Sequence, residues 1–215
     1  MNGSLVLNVA CYVGLLRAMF FGAERQVPLG YAAGLELAFL LMPVWAVLLA
    51  RQLGIFSRPA QPDRTFKFVR AAYLWLLAAA AMLPLFMVYG VLTHQGFAHS
   101  YMGSYRHAFT VGFISLMILG VSSRVVPILA GVDAKGLSSL WGPFLLLNLG
   151  CLGRVVLQIA TDFVPHVAYP LVGLTGFIEV TALAWWGVGL WRVMNLSRTH
   201  RTRVLRPPQL VTIAR

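Results

Sequence analysis

Six apolar runs, each close to the length that crosses a bilayer, constrain this chain more than any other feature. A hydrocarbon core about 30 Å thick takes roughly 20 helical residues. The runs at residues 5–23, 30–50, 71–93, 107–130, 140–160 and 167–191 meet or approach that length. The expected fold is therefore all-α: a polytopic transmembrane bundle of six helices over residues 1–192, followed by a basic tail, 193–215. Pro43, Pro84 and Pro127 fall within runs, where neighbouring helices can satisfy the freed carbonyls, so they predict kinks and not breaks. The first run lacks a basic leader and carries Arg17 in its apolar part, which reads as a retained helix and not a cleaved signal.

Of 215 residues 59% are hydrophobic and 11% charged, and the formal net charge is +11. Such a positive balance can mark a nucleic-acid binder, but here the basic residues gather in short connections and the tail, as topology signals do. Arg51, Arg58, Arg64, Lys67 and Arg70 share one connection. Arg124 and Lys135 flank another, and Arg192, Arg198, Arg201, Arg203, Arg206 and Arg215 follow the last run. The connections on the other side hold only Arg25 and Arg106, so both termini are expected in the cytoplasm and nucleic acid is not an expected partner. The tail shows no apolar periodicity and reads as a flexible segment drawn to anionic headgroups. Cys11 and Cys151 lie inside apolar runs, with neither a disulfide framework nor a CxxC metal signature.

The candidate chemistry lies in histidines and intramembrane charges. His94 and His99 fall in the outer connection, His107 opens the fourth run, and His166 immediately precedes the sixth, so four of five imidazoles share the outer face. His200 lies in the tail. Imidazole nitrogen ligates iron, copper and zinc, and a haem further needs apolar walls such as helices supply. His107, His94 and His99 are thus candidate metal ligands, with His166 a further one, although H-x4-H-x7-H is not a zinc spacing. The plainer alternative is that these histidines merely tolerate a wet interface.

Charges inside hydrocarbon are expensive and mark function by default. At about 1.5 Å per residue, Arg17, Glu36 and Arg154 fall about 9–12 Å below the outer face and Glu179 about 18 Å. Pairing of Arg17 with Glu36 and of Arg154 with Glu179 would offset the cost of burial. Alternatively, Arg17 and Arg154 hold an anionic group such as a haem propionate and the carboxylates relay protons. Asn148, Cys151, Arg154 and Gln158 advance by three or four residues and so share a helix face that must look into the bundle. Gly112, Ser115 and Ser123 form a small-residue side on the preceding helix, and Arg124, near its end, is expected to snorkel to the headgroups. There is no G-x-S-x-G, no Walker loop and no H-E-x-x-H, so common hydrolytic and nucleotide-driven chemistries lack their signatures.

The stretch "HAFTVGFISLMILGVSSRVVPILAG", residues 107–131, resembles the "H-A-x-T-V-G-x-x-x-L-M-I-L-G-x-x-x-R-V" segment of the NnrS family, and "NLGCLGRVV", residues 148–156, is similar to that family's next helix. These are polytopic bacterial membrane proteins that accompany denitrification and nitric-oxide stress and contain haem and copper. The resemblance implies an inner-membrane location, a b-type haem or copper near the outer face, His107 as the leading ligand, roles for Arg124 and Arg154, and nitric oxide as a ligand of the bound metal. It implies sensing, protection or assistance more than turnover. The family has about twelve spans and an N-terminal tryptophan-histidine-glutamate motif, neither of which occurs here. The chain thus looks like a C-terminal half, and a second membrane subunit or the missing half would supply the remaining ligands. Two other expectations compete: a transport or proton-translocating subunit that uses Arg17, Glu36, Arg154 and Glu179, and a cofactor-free structural subunit of a membrane redox complex.

Overall fold

The computed structural model describes residues 29–57, 63–94, 98–133 and 137–204, and all regular structure among them is helical. Helix α1 is Leu29–Gln52, α2 is Phe66–Thr93, and α3 is the continuous run His99–Leu129, in which Ala108–Ser115 is π-helical. Helix α4 is Trp141–Ala160 and α5 is Pro165–Val204. Four of these helices, α2 to α5, contain stretches long and apolar enough to cross a membrane, and α1 is apolar over Leu37–Gln52. The expected first span, with Cys11 and Arg17, lies outside the described residues, as do Arg25, Arg58, Lys135 and residues 205–215.

Three boundaries differ from the sequence expectation, each for a local reason. Helix α2 starts at Phe66 and not at residue 71, because the Asp63 carboxylate accepts bonds from the Thr65 N–H at 2.8 Å and the Thr65 hydroxyl at 2.7 Å. This Asx-type turn launches the chain into the helix. Helix α3 starts eight residues before His107. Its first turns, "HSYMGSYRH", are polar and therefore invisible to hydropathy, yet Tyr101 and Ser104 are buried there. The Tyr101 hydroxyl donates to the Met82 carbonyl at 2.8 Å, and the Ser104 hydroxyl to the Ser100 carbonyl at 3.0 Å. Helix α5 runs on to Val204, so residues 193–204 of the expected flexible tail are helical. Arginine and leucine are good helix formers, and no proline intervenes before Pro207. Pro43, Pro84 and Pro127 all lie inside helices, as expected.

The main core forms where α2, α3, α4 and α5 meet, around Phe68, Ala72, Leu116, Leu119, Leu147 and Ala182. A second cluster, Ala79, Ala108, Cys151 and Val155, continues it toward the histidine-bearing end. Close approach is built in: a Cβ on Gly112 would stand 2.5 Å from the Trp75 ring, so only glycine admits that indole between α2 and α3. At the end of the π-helical segment Leu116 is fully buried, while the Ser115 hydroxyl donates to the Thr110 carbonyl at 3.1 Å. Val91, Leu92, Leu129 and Phe177 are all highly exposed, an outside that only lipid suits.

At the opposite, basic end the cations bind the connections. Arg64 donates to the carbonyls of Ser138 at 2.8 Å and Ser123 at 3.2 Å, Lys67 to that of Ser139, and Arg70 to those of Ile55 and Ser57. Arg124, expected to snorkel freely, instead meets Asp63 at 3.2 Å. Residues that serve as topology signals in the sequence are thus also the ties between loops.

Candidate functional site: an intramembrane histidine–carboxylate pair

The early start of α3 moves His107 away from the membrane rim. Eight helical residues, about 12 Å of rise, separate it from His99, and the imidazole points into the bundle. Its Nε2 lies 2.7 Å from Glu179 Oε1 on α5, with the two side chains only 19% and 9% exposed. Helix α4 passes behind the pair. A Cβ on Gly150 would lie 2.7 Å from Glu179 Cγ, so glycine there is what lets the carboxylate side chain cross α4. The buried Cys151 thiol donates weakly to the His107 carbonyl at 4.0 Å. That carbonyl sits where α3 changes from α- to π-helical pairing, a switch that disturbs the local ladder and recurs at functional sites.

The expected partnership of Arg154 with Glu179 does not form. Glu179 lies seven residues, about 10 Å, beyond the level at which Arg154 meets α5. The guanidinium instead donates from Nη1 to the Val172 carbonyl at 2.9 Å, and its Nε is buried without a partner. The other expected pair, Arg17 with Glu36, falls outside the described side chains. The polar stripe of α4 does face inward, as its spacing requires. Asn148 Oδ1 accepts the Trp75 indole N–H at 3.0 Å, Cys151 is buried, Arg154 reaches α5, and Gln158 lies against Gly103 of α3.

The remaining histidines are not gathered around His107. His94 closes α2 in a left-handed conformation, φ 55°, and is exposed. His99 opens α3 and His166 lies at the start of α5; both are exposed. Among the described residues, no group of three or more His, Cys, Asp or Glu side chains is placed to hold a metal ion. A cavity of about 390 Å³ does lie between α1, α2 and α3, walled by Trp45, Tyr105, Phe109 and Phe113, but His107 is not in its wall. Among the described histidines, His107 alone lies inside the bundle, with its Nε2 on a carboxylate.

Hydropathy missed two features here. One is the pairing of His107 with Glu179, which becomes foreseeable only once "HSYMGSYR" is read as helix. The other is a polar knot at the histidine-bearing end, where the hydroxyls of Tyr89 (2.7 Å) and Ser100 both donate to Asp162 Oδ2. Chemically, an imidazole and a carboxylate in contact across two helices can share a hydrogen bond that ties α3 to α5. Compared with known proteins, the chain matches no family model, no curated protein and no solved structure.

Proposed function

We propose that this is a multi-pass membrane protein whose working centre is the His107–Glu179 pair, and that the pair takes up and releases a proton within the bilayer as part of a transport or proton-translocating subunit. The observation that carries this reading is the 2.7 Å contact between two titratable groups buried on different helices. Ionisable residues at such depth are costly, and proton relays are a leading reason to keep them. The basic end is then the cytoplasmic one, by the distribution of Lys and Arg.

A second reading follows from the resemblance of residues 107–131 to the NnrS family: a haem- or copper-binding protein of the bacterial inner membrane that answers nitric oxide. What favours it in the geometry is that metal-ligating histidines commonly have one ring nitrogen held by a carboxylate, as Glu179 holds His107. The remaining ligands would come from a second membrane subunit.

One preparation separates the two. Protein purified from haem-replete cells is examined by visible spectroscopy and metal analysis, then sealed into vesicles with an internal pH dye. The proton reading expects a colourless protein and proton flux that disappears in Glu179→Gln. The cofactor reading expects a Soret band or bound copper that is lost in His107→Ala. Flux unchanged in Glu179→Gln overturns the first reading.

A further inference from the structure

A cavity of about 630 Å³ opens between α3 and α5 at the basic end, far from the His107–Glu179 pair. Among the described residues its ionisable wall groups are Arg64 and Arg192, with no carboxylate. The rest of the wall is largely apolar, with Pro127, Trp185, Trp186 and Leu190 prominent. The Trp186 indole is fixed by its bond to the Ser123 hydroxyl at 2.9 Å. We propose that this cavity binds one anionic glycerophospholipid, with the phosphate between Arg64 and Arg192 and an acyl chain along the tryptophan wall.

Charge, depth and shape each support that occupant. Arg64 is held in place by two neutral carbonyls, and Asp63, whose charge also acts on it, lies outside the cavity wall and is bonded to Thr65 and Arg124. Arg192 is exposed and forms no ion pair with any described residue. Two guanidinium groups thus face a common space without a counter-charge in its wall, the arrangement that takes a phosphate. Arg192 lies 27 residues into α5, about 40 Å along its axis, beyond a hydrocarbon core of about 30 Å and at headgroup level. Trp185 and Val188, 57% and 47% exposed, make the outer wall, on the side where acyl chains lie. Inorganic phosphate would leave that apolar wall wet, and a zwitterionic lipid would bring its own cation against the arginines. Basic pockets between membrane helices at the cytoplasmic side recognise anionic lipids in this way.

The test is mass spectrometry of the intact protein after equilibration in mixed micelles of phosphatidylglycerol and phosphatidylcholine at equal amounts. One phosphatidylglycerol per chain is expected to remain, and millimolar inorganic phosphate is expected not to displace it. Arg192→Gln should weaken retention about fivefold, the share of one guanidinium near an anionic surface. Gly189→Leu adds a side chain to the cavity wall at a position where a Cβ meets no heavy atom within 4 Å. It should abolish retention while leaving the helical circular dichroism unchanged. Equal retention of the two lipids, displacement by phosphate, or retention unaltered in Gly189→Leu would overturn the proposal. So would lipid binding seen only after removal of residues 205–215, which would make the chain's own tail the occupant.

Discussion

His107–Glu179 joins two helices and Arg124–Asp63 joins a helix to a turn, and these two acid–base contacts differ in nearly every physical respect. The first is 2.7 Å long with side chains 19% and 9% exposed, and it lies inside the bundle. The second is 3.2 Å long with side chains 67% and 25% exposed, at the basic rim. Coulomb attraction grows as the dielectric falls, but so does the cost of taking charge out of water. The interior pair is consequently a poor device for stability alone. The rim pair is cheap to form, screened by salt, and suited to fastening a loop.

The largest effect expected from this contrast comes from removing one partner of the interior pair. Glu179→Ala leaves the His107 imidazole without its partner inside the bundle, at a cost of about 3–5 kcal/mol, the range for breaking a buried pair. Glu179→Gln keeps a hydrogen-bonding group and should cost less. Arg124→Ala should cost under about 1 kcal/mol. His94→Ala and His166→Ala, at exposed positions, should lie within about 0.5 kcal/mol of the parent. Unfolding in detergent, followed by circular dichroism, ranks the five variants, and equal losses in Glu179→Ala and Arg124→Ala would erase the distinction between interior and rim.

An intermediate effect is expected at Gly150, which touches neither charge but shapes the passage of one. Any Cβ there meets Glu179 Cγ at 2.7 Å, and the Glu179 backbone nitrogen is 3.4 Å away, so α4 and α5 must part to admit it. Gly150→Val should destabilise by about 1–3 kcal/mol, the usual range for overpacking. It should also abolish proton flux if the pair is the working centre. Gly176→Val on the facing helix α5, where a Cβ meets nothing within 4 Å, is the control. A Gly150→Val protein with parental stability and flux would show that the close crossing does not hold the pair in place.

The contrast also explains what was legible in the sequence. The membrane spans over 71–93, 140–160 and 167–191 could be read because continuous apolar runs report directly on lipid-facing surface. The inward stripe Asn148, Cys151, Arg154 and Gln158 could be read because helical spacing fixes a shared face whatever the partners are. Pairings between helices could not. The expectation that Arg154 meets Glu179 assumed a long side chain bending along the bundle, and it placed His107 at the rim because the polar turns "HSYMGSYR" lack the hydropathy of a span. Once those turns are helical, His107 descends to the level of Glu179, and Arg154 is left to a backbone carbonyl. Helix length thus decided the site, and polar helical turns at a membrane edge are where hydropathy says least about length.

The smallest effect concerns acid, and it separates the rim pair from the turn it is part of. Burial pushes the Asp63 carboxyl up, but the Thr65 N–H and hydroxyl, together with Arg124 and Arg64, outweigh it and hold the group below its ordinary value of 3.8. A carboxyl whose folded value is lowered stabilises the fold fully above 3.8, and that contribution is lost as pH falls through the lower, folded value. Asp63→Asn can still accept the Thr65 bonds but cannot pair with Arg124 or titrate. It should therefore unfold slightly more readily than the parent at neutral pH, by under about 1 kcal/mol. The gap should close below pH 3.8, where the parent also loses its charge. Asp63→Ala loses the turn as well and should stay less stable across the whole range. If Asp63→Asn and the parent instead kept the same difference from neutral pH down into acid, the carboxylate's charge would have no part in fastening the basic end, and the Thr65 bonds alone would explain where α2 begins.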